Sequence, residues 1–120
     1  MINNEMEKIL TIIEKLEERD LEFPLDDEDT LEIHLFSRGE FEEGQLGYRI
    51  NHEGKNLINE NGWHEDWYVI GYEELLGDPI VVDTKDGDFP IFTIAHDANW
   101  IPQRLANSLK SFLKKAQSPD

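Results

Sequence analysis

With no cysteine in the sequence, any chemistry falls to imidazole, hydroxyl and carboxylate groups. Disulfides, thiolate zinc sites and cysteine nucleophiles are excluded together. The histidines, His34, His52, His64 and His96, form no HExxH pair. In "WHEDW", His64, Glu65 and Asp66 lie too close along the chain to encircle a metal by themselves, so no metal or other cofactor is expected. Ser37, Ser108 and Ser111 sit in no nucleophile elbow, and Ser108 falls among helix-forming residues. His96 has no nucleophile beside it and reads as a hydrogen-bonded structural residue. Paired carboxylates could run acid–base hydrolysis, but with 27 acidic residues chance pairs are inevitable. A small carboxylate-based hydrolase therefore stays open on these residues alone.

The stretch "VIGYEELLGDPIVVDTKDGDFPIF", residues 69 to 92, sets glycines and acids between short apolar runs. A phosphate loop in "GYEELLGDP" would bring phosphate against Glu73, Glu74 and Asp78, where repulsion opposes it. A calcium loop with Gly87 at its glycine position would place Val82 and Thr84 where ligands belong, so an EF-hand fails. Turn chemistry explains the stretch better. Gly71 ends one strand, Gly77 permits a tight turn, and Asp78 before Pro79 is biased extended into the next strand. Asp86 and Gly87 then supply a hairpin turn.

The elements that position these residues follow from periodicity. Met6, Ile9, Leu10, Ile13 and Leu16 repeat at helical spacing, with a capping-box-like pair in Asn4 and Glu7, which predicts a helix from Asn4 to Asp20. Pro24 and "LDDEDT" read as a break and a solvated turn. Pro102 fits a first helical position, and Leu105, Ala106, Leu109, Phe112, Leu113 and Ala116 form one stripe ending in lysines. Between the helices "LEIHLF", "QLGYRIN", "DWYVIG", "PIVVD" and "PIFTIA" alternate as strands, joined by turn-like "SRGEFEEG", "EGKNLINENG" and "TKDGD". The expected fold is a single α+β domain over residues 1 to 120, with a mainly antiparallel sheet of about five strands and both terminal helices on one face.

Composition bounds the function. At 38% hydrophobic and 10% aromatic residues the chain is too apolar to be disordered. No apolar run reaches membrane-helix length, and "MINNEMEKIL" lacks a signal-peptide pattern, so a cytoplasmic protein is expected. The 27 acidic and 11 basic residues give a net charge of −16. Residues 1 to 90 hold 25 acids and 7 bases, whereas residues 91 to 120 hold 2 acids and 4 bases. Such a surface repels nucleic acid and anionic membrane, and it attracts basic proteins. It also keeps a protein soluble without further purpose. The sequence sets no oligomeric state.

A binding surface would combine turn acids with exposed aromatics. The candidates are Trp63, Glu65, Asp66, Glu73, Glu74, Asp83, Asp86 and Asp88, with Trp63 as the exposed anchor and Trp67 and Trp100 in the core.

One ordered set of residues carries a family resemblance. A tryptophan-bearing strand, Trp67 to Gly71 with Val69 and Ile70, is followed by Gly77, Asp78, Pro79 and Ile80, with Asp83 after that strand. Pro90 leads the next strand, and His96 and Trp100 precede Ala106, Ser108 and Phe112. Over roughly residues 42 to 113 this arrangement resembles the SUKH superfamily of Smi/Knr-type proteins. The usual second helix before the sheet is missing, which alters any partner site built there. The resemblance implies a non-catalytic bacterial binding protein, similar to the immunity proteins made beside secreted or contact-delivered toxins, often nucleases. The yeast relative regulates cell-wall assembly, so an adaptor for another basic partner is the alternative.

Overall fold

The computed structural model describes residues 3–25, 29–58, 63–95 and 102–116. His96 and Trp100 lie outside the described residues. The helical stripe forms α1 (Asn4–Glu14), which buries Met6, Ile9, Leu10 and Ile13. Asn3 is its cap, one residue before the expected start, and its Oδ1 accepts the Met6 N–H at 2.8 Å. The helix stops well short of Asp20. Beyond Leu16 the apolar period changes to two, and Leu21 and Phe23 are buried on alternate positions of strand β1 (Asp20–Pro24).

Six strands form one antiparallel sheet in sequential order: β1, β2 (Thr30–Leu35), β3 (Trp67–Glu73), β4 (Pro79–Asp83), β5 (Ile91–Ile94) and β6 (Pro102–Ala106). The count of about five strands is corrected in three places. β1 is an added strand that begins at Asp20, where the expected helix was to end, β6 replaces the start of the C-terminal helix, and "QLGYRIN" is no strand. The last of these becomes the end of a 3-10 turn (Glu43–Gln45) and a loop held by the isolated bridges Leu46–Ile50 and Ile50–Asn56. The preceding "SRGEFEEG" is not a simple turn either, since it winds into α2 (Arg38–Phe41) and then that 3-10 turn. At the C-terminal side, Ser108 Oγ accepts the Ser111 N–H at 3.0 Å and starts α3 (Leu109–Lys115). Pro102 is compatible with a strand because its fixed φ also suits extended backbone at a sheet edge.

The helices share one face of the sheet. Met6, Ile9, Leu10 and Ile13 of α1 join Leu109 and Phe112 of α3 in one core with Ile33, Leu35, Ile70, Ile80, Val82 and Ile91. Phe112 stacks on Phe23 at 4.9 Å between ring centroids. The sheet curls so that Phe23 and Pro24 of β1 and Gln103, Arg104 and Leu105 of β6 line one cavity of about 230 Å³. A smaller core of Phe36, Trp63, Val69, Val81, Phe92 and Ile94, flanked by Tyr48 and Trp67, fills the opposite face.

Two turn assignments change in detail. Gly71 does not end its strand. It follows a bulge in β3, and a Cβ there would stand 2.3 Å from the His34 carbonyl oxygen, so only glycine fits. In the β4–β5 connection the left-handed residue is Phe89, φ 58°, rather than Gly87. The turn is set by Asp86, whose Oδ1 and carbonyl accept the N–H groups of Asp88 and Phe89, each at 2.9 Å. Phe89 then packs against the larger core, which offsets a strain of about 1 to 3 kcal/mol.

Strand β3 pairs with β2 only along Ile33–Leu35, leaving its first half without a strand on that side. The fully buried Gln45 fills the gap. Its side-chain amide accepts the Val69 N–H at 3.0 Å and donates to the Val69 and Phe41 carbonyls at 2.7 and 2.8 Å. Replacing Gln45 with Ala leaves these buried backbone groups unpaired. The variant should lose about 2 to 4 kcal/mol of stability in chemical unfolding, from a desolvation cost of about 1 to 3 kcal/mol per orphaned group. An unchanged unfolding midpoint would show that the amide is not what holds this half of β3.

Candidate functional site

The structure divides the sequence-predicted binding residues between the two ends of β3. Glu65 and Asp66 precede the strand and Glu73 ends it, roughly 20 Å away at the usual rise per strand residue. Asp83 lies opposite Trp67 in the β3–β4 ladder, and Thr84 donates its N–H and hydroxyl to the Asp66 carbonyl at 2.9 and 3.0 Å. Glu65, Asp66, Asp83, Asp86 and Asp88 therefore gather at one end of the sheet. Two of these carboxylates build turns: Asp83 Oδ1 accepts the Lys85 N–H at 2.9 Å, as Asp86 does for Asp88.

Trp63 is not an exposed anchor. It is 5% exposed, its indole N–H donates to the Trp67 carbonyl at 3.2 Å, and its ring meets Trp67 edge-on and lies beside Tyr48. Its indole N–H finds a partner there, as a buried tryptophan requires. Trp67 is half-buried, packing edge-on against Phe92.

Glu73 is also withdrawn from solvent, at 5% exposure. Its Oε1 accepts the N–H groups of Leu76 and Asp78 at 2.6 and 3.3 Å, and its Oε2 accepts that of Leu75 at 3.0 Å. The backbone closes the same turn: Glu73 N–H donates to the Asp78 carbonyl at 2.9 Å, and Gly77 N–H to the Glu73 carbonyl at 3.0 Å. Gly77 has φ 77°, the left-handed conformation expected of it. A buried carboxylate thus orients the tip of the β3–β4 hairpin through charge-assisted hydrogen bonds. The tip it holds is apolar. Leu75 is 87% and Leu76 69% exposed, and Tyr72 on the same hairpin is also exposed.

This hairpin continues a face that the sequence reading missed. His34 pairs with Asp20 on one side and Tyr72 on the other, while Glu22 lies opposite Glu32. Glu74, exposed, donates its N–H to the Glu32 carbonyl at 2.8 Å. Aromatic and carboxylate rows therefore run side by side over β1, β2 and β3, on the face opposite α1 and α3. The signal for it was Leu75–Leu76 itself, two large apolar residues inside a turn that Gly77 already marked.

His34 is the titrating centre of this face. Its Nδ1 lies 2.8 Å from Asp20 Oδ1, and its Nε2 lies 3.2 Å from both oxygens of Glu40. Burial pulls the imidazole pKa down, but the hydrogen bonds and charges of Asp20 and Glu40 outweigh it and leave the pKa raised. The two carboxylates sit on opposite ring nitrogens. Among the described residues no three His, Asp or Glu side chains stand where they could share a metal ion. The serine hydroxyls are used locally, Ser108 Oγ as a helix cap and Ser111 Oγ donating to the Ser108 carbonyl at 3.1 Å. No described helix is long and apolar enough to cross a membrane.

Because its folded-state pKa is raised, protonated His34 stabilises the fold fully below its unfolded pKa of about 6.5, and that contribution fades as pH rises through the folded value. Thermal unfolding of wild type and His34→Asn across pH 5.5 to about 9 should show a stability gap that is widest in acid and narrows in base. A gap independent of pH would show that the imidazole is not charged between these carboxylates. Compared with known proteins, the chain matches no family model, no curated protein and no solved structure.

Proposed function

We infer that the chain is a non-catalytic, cytoplasmic binding protein whose acidic surface engages a basic protein, in the manner of a bacterial immunity protein that neutralises a toxin such as a nuclease. The observation that carries this reading is the uncompensated acid. The chain has a net charge of −16, with 27 acidic residues against 11 basic ones; among the described residues Arg38 pairs with Glu7 and Glu14, and His34 with Asp20 and Glu40. A nuclease carries a cationic cleft for the phosphate backbone, and an acidic protein can be steered into such a cleft, speeding association by ~10 to 1,000-fold. The same field disfavours direct contact with nucleic acid.

The resemblance to the SUKH superfamily supports the same reading, because several of its described residues have structural roles. Gly71 sits at the bulge, Gly77 and Asp78 at the hairpin tip, and Pro79 and Pro90 are buried beside β4 and β5. Ser108 caps α3 and Phe112 fills the core.

The reading predicts a toxin gene beside this one, and the test is co-expression with its toxin domain. Cells producing both proteins should survive, while cells producing the toxin domain alone should die. Equal rates of death with and without this protein would reject immunity against that toxin. Survival by substrate turnover, with no complex formed, would reject the non-catalytic reading.

A further inference from the structure

Four large apolar side chains are exposed among the described residues, Ile12, Tyr72, Leu75 and Leu76, and three of them lie on the β3–β4 hairpin. Loop tips are ordinarily polar, since an exposed leucine gains nothing from folding. Here the Glu73 carboxylate ties down the backbone N–H groups of Leu75, Leu76 and Asp78, so the leucines are presented on a tip already ordered. An ordered anchor loses little conformational freedom when it docks, which is where preorganisation gains affinity.

The surroundings identify the occupant. Glu74 adjoins the leucines, its N–H bonded to the Glu32 carbonyl, and Glu32 faces Glu22 across the β1–β2 ladder. Like charges directly opposite one another in a sheet are unfavourable, and no cation pairs with these three acids among the described residues. A cationic partner would relieve that repulsion. Resting on the acidic-binding reading above, we propose that Leu75 and Leu76 form an anchor that inserts into an apolar pocket ringed by lysine and arginine on a basic protein. A second copy of this chain would set the same carboxylates against each other, and an anionic lipid surface would be repelled by them. The leucines carry the docking, while the acids select the partner.

The probe is a short amphipathic leucine–lysine peptide, compared with a peptide of equal charge in which serine replaces leucine. Wild type should bind the leucine–lysine peptide more tightly, and Leu75→Ser/Leu76→Ser should weaken it about tenfold or more, as expected for losing buried leucine contacts. Both side chains are exposed, so the variant's thermal unfolding should match wild type and its binding of the serine–lysine peptide should be unchanged. Equal affinity of wild type and double variant for the leucine–lysine peptide overturns the anchor. If Glu22→Gln/Glu32→Gln/Glu74→Gln and added salt still weaken binding in that case, the acidic-binding reading stands without the anchor. If neither does, both fall. Sedimentation onto phosphatidylcholine–phosphatidylglycerol vesicles, or self-association, that is lost in the leucine variant would assign the tip to a membrane or to a second copy and would equally overturn the proposal.

Discussion

Backbone polar groups buried without partners are costly, and β3 is where this protein meets that constraint most sharply. The strand is central, but β2 accompanies only its second half. Side chains from the segment after α2 complete the first half. Gln45 serves Val69 through both ends of its amide, and Arg49 Nη1 donates to the Glu65 and Trp67 carbonyls at 2.6 and 2.7 Å while its guanidinium lies 3.8 Å from the Tyr68 ring centroid. Burial pulls the Arg49 pKa below the usual arginine range. Its carbonyl partners and the Tyr68 face compensate for the water it has lost. These two residues, four apart, let an irregular segment lie over the outer core where a strand would otherwise be needed.

With β3 fixed at both edges, its two ends take different roles. The start is a sealed aromatic corner of Trp63, Trp67, Tyr48 and Phe92. The end projects a hairpin whose internal carboxylate is consumed in shaping the turn. Acid in this chain thus divides by burial. Glu73 is structural because it is enclosed by N–H donors, whereas Glu22, Glu32 and Glu74 contribute field to the solvent. That division suits a protein that recognises by long-range attraction and then by a small apolar contact, since steering needs exposed charge and specificity needs a fixed shape.

Much of the fold was legible because its signals are local. The short apolar run "PIVVD", bounded by turn residues, marked β4 at its observed limits, Pro79–Asp83, and Gly77 marked a positive-φ turn. β1 and β6 were misread because Leu21 and Phe23 follow directly on a helical stripe, and because Leu105 and Ala106 happen to fall in phase with the stripe of α3. Only long-range pairing, with β2 and β5 respectively, decides those segments. The burial of Trp63 and Glu73 was illegible for a related reason. Each is held by partners its residue type does not announce, the Trp67 carbonyl and three turn amides. Gln45 carried no signal at all, since a polar residue in a charged stretch reads as surface until the gap beside β3 is seen.

The central claim, recognition of a basic protein by an acidic surface, is tested most directly by the association rate with a purified toxin domain against which co-expression protects, measured at low and high salt. Raising the salt from 0.1 M to 1 M shortens the screening length from ~10 Å to ~3 Å. The account predicts that association then slows by about tenfold or more, while the fold is retained. An association rate unchanged by salt would contradict it.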